Sequence, residues 1–377
     1  MRIAERSDIL KFLDPTNKFE ELQKFIDAKG DYNPQFTYST DHVKILEEVG
    51  LYINKLKAKT LKLRENNEIK QLMLDKCDEI LCKFDLLQAY HDQDYDAILT
   101  LNTQLFGTIK NYTTLPTDYA ALEKRFWLSY QSLFENTGIN PVETLSQKQV
   151  KELVIYHIQS VGFSSYSIQF GNFGNTNMQV RIGPKPVMYI HKKETYKAFD
   201  VCVSILHEVY GHLARYKNGI NSDYHLLQWG TAYYLSTEEG LAVFQAARVE
   251  WFQKTRERLQ KSYQYLAQTA DHNWKQLTQI YFKNGRTNLE TIFWSILRLK
   301  RGIQDTSIIH PGTVFYKDKV YSDGYYHILS YFADQVNNND LKWNSSTKLA
   351  LDDIIMIWRI KVEDIQKIPC ILGASQL

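Results

Sequence analysis

Two histidines and a glutamate sit inside what reads as one apolar helix, and this constrains the chain more than any other feature. The segment is His207-Glu208-Val209-Tyr210-Gly211-His212. Asp200 is placed to cap its N-terminus, Val201, Ile205, Val209 and Leu213 form an apolar stripe, and Asn218-Gly219 gives a stop signal. On an ideal α-helix, with roughly 100° per residue, side chains five apart diverge by about 140°. Both imidazoles face one point only if the helix widens locally into a π-bulge, where roughly 4.4 residues per turn close that angle. Gly211, just before the second histidine, is where such a distortion is expected to cost least. An apolar helix does not bury two histidines and a carboxylate without partners for them. The chemistry that wants this trio is a hydrolytic zinc site.

A catalytic zinc takes about three protein ligands and keeps one position open for water. His207 and His212 supply two nitrogens. The third ligand is sought downstream in Ser236-Thr237-Glu238-Glu239-Gly240-Leu241-Ala242, which opens a second helix. Glu239 is the first choice and adjacent Glu238 the fallback. Taken alone, Ser236-x-x-Glu239 is also a capping-box pattern. Glu208 would project beside the metal as general base, taking a proton from zinc-bound water and passing it to the leaving amine. His191 is a candidate to support the metal ligands from the preceding strand, while His225, His272, His310 and His327 read as surface or packing residues. The basic cluster Arg298, Lys300, Arg301 reads either as a solvated helix end or as a site for a substrate carboxylate. Tyr321 reads as a packing residue or as a donor to a developing oxyanion.

The rest of the chain sets the frame. Residues 1–112 form a helical N-terminal region, with stripes Ile45, Val49, Tyr52, Ile53, Leu56 and Ile69, Met73, Cys77, Ile80, Phe84. A polar loop follows at His91-Asp92-Gln93-Asp94 and a boundary at Thr113-Thr114-Leu115-Pro116. Residues 113–377 form the catalytic region, either separate from the first or joined to it as one compact unit. It holds a helix over 119–137, strands and turns over 154–189, and a short strand Val187–His191 leading into the motif helix. Helices follow over 239–259, 263–282 and 288–299, then a loop or hairpin over 311–324 and helices over 327–336 and 349–361. The class is α+β, predominantly helical, with a small sheet beside the motif helix. A formal charge of +2 gives no reason to expect nucleic acid or an anionic membrane as partner. Four cysteines without metal or disulfide spacing, a charged Met1–Phe12 and no long apolar run are what a cytoplasmic protein is expected to have.

Taken together these residues resemble the tyrosine carboxypeptidase family that includes the microtubule-associated enzymes, whose bacterial members are described by a Gln-Glu-Gly-Leu-Ala motif. The resemblance spans most of the chain. It runs through Pro15, Asn17, Glu21, Phe25, Asn33 to Tyr38 and Asn102 to Gly107. It is strongest at His207-Glu208 through His212 with Asn218-Gly219 and at Glu239-Gly240-Leu241-Ala242, and returns at Arg301-Gly302 and from Phe315 through Lys317 and Tyr321 to Gly324. Two positions depart from the family: Glu238 stands where many members have Gln, and the glycine of the first motif lies one residue later. The resemblance implies a zinc-metallopeptidase-like, gluzincin-like fold with one zinc ion per chain held by His207, His212 and Glu239. It implies Glu208 as base, with Tyr321 as a second catalytic group and Arg301 and Lys317 binding substrate. The substrate is then a peptide or protein C-terminal tail, extended near Val187–His191 at the sheet edge, and the reaction removes its last, tyrosine-like residue. Two other readings stay open: a zinc amidohydrolase acting on a small modified metabolite, and an inactive helical interaction protein.

Overall fold

The computed structural model describes residues 12–40, 42–63, 67–108, 126–141, 143–172, 177–183, 185–221, 226–250 and 252–337. The expected boundary at 113–116, the helix over 349–361, His225 and Cys370 lie outside them. The chain divides into two compact units. The first comprises residues 1–112, 231–233 and 260–319, the second 113–230, 234–259 and 320–377. The architecture is mostly helical with two small sheets. No helix among the described residues is long and apolar enough to cross a membrane.

In the first unit, α1 (Lys18–Asp27), α2 (His42–Leu61), α3 (Asn67–Asp92) and α4 (Tyr95–Phe106) come in succession. The α2 and α3 stripes meet as expected, burying Val49 and Ile53 against Cys77, Phe84 and Leu87. Tyr52, assigned to that stripe, is instead 52% exposed. The polar loop is tighter than expected. α3 runs to Asp92, Gln93 takes a left-handed φ of 53°, and Asp94 caps α4 by accepting from the Ala97 amide. The Asn33–Tyr38 stretch has a packing role. Phe36 and Phe25 close around the fully buried Trp274, and Glu21, also buried, accepts from the Tyr32 hydroxyl and the Gln35 amide.

The second unit carries a 3-10 turn (Tyr130–Phe134), β1 (Thr144–Ser146), α5 (Gln147–Ser160), β2 (Ser167–Gly171), β3 (Met178–Arg181), β4 (Val187–His191) and β5 (Thr195–Lys197). The helix expected over 119–137 has ended at Phe126, and an irregular stretch at 127–129 precedes the 3-10 turn. β1 pairs with β5, and the larger sheet has the order β2-β4-β3, parallel then antiparallel. Val187–His191 is a strand with the expected bounds, but it is the central one. It therefore has no free edge for a substrate, and the edge nearest the motif belongs to β3.

The motif lies on one continuous rod: α6 (Ala198–Ile205), a π-helical segment (Leu206–Leu213) and α7 (Ala214–Ile220). Asp200 is not the cap but lies in the first turn, and Asn218-Gly219 fall within the last turn rather than beyond it. Both differences follow from β5 feeding directly into the helix and from Asn221 taking the C-cap. One face of the rod packs on the sheet through Val201, Ile205, Leu206 and Val209 against Met178, Val180, Met188 and Ile190. After the short α8 (Leu226–Trp229) come α9 (Leu235–Ala247) and α10 (Phe252–Ala270). The helix break expected near 260 is instead seen at 248–250, a stretch without Gly or Pro. α11 (Trp274–Lys283) and α12 (Leu289–Leu299) belong to the first unit; the loop expected over 311–324 holds to residue 315, and a 3-10 turn (Tyr316–Asp318) and the start of α13 (Lys319–Asn337) replace its end.

Small residues set how closely α9 packs. A Cβ on Gly211 would lie 2.7 Å from the Ala242 Cβ, so the rod and α9 meet nearly backbone to backbone. On another side of α9, a Cβ on Gly240 would lie 2.2 Å from the Gly324 carbonyl carbon, and one on Gly324 only 1.8 Å from the Ser236 oxygen. Gly211 lies inside the π segment, as expected, and this close approach is a further reason for glycine there. Gly240 and Ala242 of the Glu-Gly-Leu-Ala block serve the same end.

Candidate metal centre

The π segment does what the spacing demands. Between Leu206 and Leu213 the widened turn brings His207 and His212 together, with ring centroids 5.0 Å apart and planes at 80°. π-helical turns are rare and concentrate at functional sites. Here the distortion converts two diverging side chains into neighbours.

α9 supplies the third donor. Held against Gly211 by Ala242, it directs the Glu239 carboxylate at both rings: Oε2 is 3.7 Å from His207 Nε2 and 3.6 Å from His212 Nε2. The three donor atoms all lie within 4.8 Å of one another. Zinc bonds of roughly 2.0–2.1 Å put tetrahedral donors about 3.4 Å apart. Two nitrogens and a carboxylate oxygen at this spacing fit such an ion. The capping-box reading of Ser236 and Glu239 does not hold, because α9 begins at Leu235 with Tyr234 as N-cap and no side-chain cap bond. Ser236 lies inside the helix.

The two adjacent glutamates point differently. Glu238 Oε1 accepts from His212 Nδ1 and from Arg215 Nε, each at 3.0 Å. Burial would raise its carboxyl, but Arg215 and His212 outweigh that and hold it below the usual carboxylate range. For His212 burial works against the proton, yet the Glu238 hydrogen bond and the Glu239 charge raise it to about 9 in the metal-free protein. Arg215 lies three residues beyond His212 on the rod. Its part could not be read from the motif, although that one-turn spacing was a signal available for it.

Glu208 turns toward the sheet. In the antiparallel β3–β4 pair, the His191 amide donates to the Asn177 carbonyl, so residues 177, 179 and 181 bond to β4. Val180 then faces its amide to the edge that no described strand pairs, and Glu208 Oε2 accepts from it at 2.9 Å. Burial raises the Glu208 carboxyl, and the two histidines and the Val180 amide only partly offset this. Tyr210 anchors the same segment. Its hydroxyl meets His157 Nδ1 at 2.9 Å and Ser160 Oγ at 3.1 Å, while His157 Nε2 donates to the Leu133 carbonyl.

The remaining candidates are described by their own surroundings. Tyr321, in the first turn of α13, is half-buried against the cluster of Leu241, Phe244 and Tyr325. Lys317 lies in a 3-10 turn of the first unit and is partly exposed. The cluster read as a solvated helix end is solvated only in part: Arg298 is exposed, Arg301 half-buried and Lys300 buried. Lys300 is 3% exposed and Arg301 has a buried Nε without a hydrogen-bond partner among the described residues, because the chain after α12 turns inward. Burial pushes the Lys300 ammonium down to about 8 against the pull of Asp271, and lowers Arg301 as well. Arg298 instead pairs with Asp318. His191 has a buried Nδ1 without a partner among the described residues, so no hydrogen bond ties that atom to the three donors. His310 stacks on Tyr95, and His272 bonds to the Gln268 carbonyl.

No curated protein sequence matches the chain. A solved structure titled "BsuCP Crystal Structure" aligns over 93% of this chain and 87% of that one, at 12% identity and a TM-score of 0.30, too low to carry an argument. A family profile described as microtubule-associated tyrosine carboxypeptidase matches residues 23–370, and so takes in the π segment, α9 and the Arg301 to Gly324 stretch. With nearly its whole length under that one profile, the chain belongs to the microtubule-associated tyrosine carboxypeptidase family.

Proposed function

We propose that this protein is a zinc-dependent metallopeptidase that removes the C-terminal residue from a peptide or protein. The observation that carries the reading is the convergence of His207, His212 and Glu239 donor atoms beside the buried carboxylate of Glu208. A zinc ion held by those three would polarise a peptide carbonyl and bring the pKa of a water to about 7. Glu208 is the general base. Its Oε2 is engaged by Val180, which leaves Oε1 to take the proton, and its raised affinity for protons suits a group that must gain one near neutral pH. The outer edge of β3 runs past this carboxylate, where an extended chain could pair with the Met178 backbone and the Val180 carbonyl, the Val180 amide being held by Glu208. A strand edge, an HExxxH rod and a glutamate from a following helix make a gluzincin-like arrangement.

The family description names a tyrosine carboxypeptidase, which favours a C-terminal tyrosine as the residue removed. Tyr321 is assigned to the oxyanion, and Arg301 and Lys317 to the substrate, with Arg301 as the carboxylate-binding cation because its guanidinium offers paired donors. The deciding experiment is zinc content of the wild type and Glu239→Ala side by side. About one zinc per wild-type chain, lost in the variant, is the expected result. A wild type that takes up no zinc after supplementation would reduce the cluster to a packing feature.

A further inference from the structure

One buried charge pair at the centre is left without a part by the three-ligand reading. Glu238 is 5% and Arg215 4% exposed, and both lie on the far side of His212 from Glu239. Glu238 Oε1 takes two donors at 3.0 Å, the His212 Nδ1–H and the Arg215 Nε–H. Arg215 is itself fixed. Its Nη1 donates to the Gln228 carbonyl at 3.2 Å, and its guanidinium lies 5.4 Å from the centre of the Tyr234 ring. That ring occupies the space a Cβ on Gly230 would need, since the added atom would lie 2.4 Å from it. The chain of contacts therefore runs Gly230, Tyr234, Arg215, Glu238, His212. Each link restricts the next.

A carboxylate on one ring nitrogen fixes what the other can do. With its proton committed to Nδ1, a neutral His212 has its lone pair at Nε2, the atom 3.6 Å from Glu239 Oε2. Turning the ring would break the Glu238 bond. Turning Glu238 toward the metal side would pull its carboxylate from the buried Arg215 Nε, a costly separation of charges in a low-dielectric interior. The neighbouring glutamates are thereby kept to separate tasks.

We infer that Arg215 and Glu238 form the positioning device of the metal centre, in which Arg215 holds the Glu238 carboxylate and Glu238 orients His212 as a ligand. The inference rests on the zinc reading above. Its test is zinc affinity by chelator competition on the full chain for wild type, Glu238→Gln and Glu238→Ala, with the visible spectrum of the cobalt-loaded proteins and the melting temperature without metal. Glu238→Ala is expected to weaken zinc binding roughly 10–100-fold. Glu238→Gln, whose amide oxygen still accepts from Nδ1–H, should fall between, fold as the wild type does, and shift the cobalt spectrum. Should Glu238→Ala fail to fold, Glu238→Gln decides. Wild-type affinity and spectrum in Glu238→Gln, with a change only in melting temperature, would overturn the inference. So would zinc lost from Glu238→Gln but kept by Glu239→Ala, which would make Glu238 the ligand. A wild type that binds neither zinc nor cobalt would instead bring down the underlying reading, a pattern distinct from both.

Discussion

At the scale of single residues, direction matters more than identity. Glu208, Glu238 and Glu239 are the same side chain in three environments. One is buried against a strand amide, one is clamped by a guanidinium, and one faces two imidazoles. Burial pushes the Glu208 carboxyl up, while Arg215 and His212 hold the Glu238 carboxyl below the usual range, so those two differ in proton affinity. Replacing Glu208 by Gln keeps the shape and the Val180 hydrogen bond but removes the proton acceptor. Hydrolysis should fall by roughly 10²–10⁴-fold, with zinc content unchanged, in side-by-side turnover and metal assays. Retained turnover would remove Glu208 from the base role.

At the scale of elements, the centre depends on how closely α9 approaches its neighbours. Gly211 against Ala242 sets one distance and Gly324 against Ser236 and Gly240 sets another. Neither contact can be relieved by a rotamer change, since the obstructing atoms include backbone. Gly324→Ala should therefore cost on the order of 1–3 kcal/mol or more in urea unfolding and weaken zinc binding by displacing the helix that carries Glu239. Gly50, in the middle of α2, has nothing within 4 Å of where an added methyl would sit, and is the control. Gly50→Ala should stabilise by about 0.5–1 kcal/mol. A Gly324→Ala protein as stable as the wild type would show that α13 can shift without cost.

At the scale of the whole molecule, the first unit stores a buried cation that no ion pair among the described residues balances closely. Lys300 titrates near 8 when folded, well below its ordinary value of 10.5. Between those values the unfolded chain holds a proton the folded chain has released. Stability should therefore rise with pH across about 8 to 10.5, and below 8 the burial penalty is felt in full. The shift corresponds to about 3 kcal/mol, an upper figure. Lys300→Met should stabilise the protein at pH 7 by roughly 1–3 kcal/mol and flatten the rise that wild type shows toward pH 10. Parallel pH profiles for the two would show the ammonium to be better solvated than its 3% exposure indicates.

The local grammar of the chain was enough for the π-helical turn, because two histidines five apart can share a target in no other helical geometry. It was also enough for the bounds of Val187–His191 and for the α2 and α3 stripes, where period and β-branched texture act over a few residues. Three things were decided only by tertiary packing. Which of two adjacent glutamates meets the histidines depends on the rotation of α9, and that rotation is set by contacts with Gly211 and Gly324 far away in sequence. That Val187–His191 is the central strand depends on partners at Ser167–Gly171 and Met178–Arg181, which pairing and not pattern selects. And the burial of Lys300 depends on what covers the end of α12, since helical periodicity records which face is apolar but not what lies over the cap.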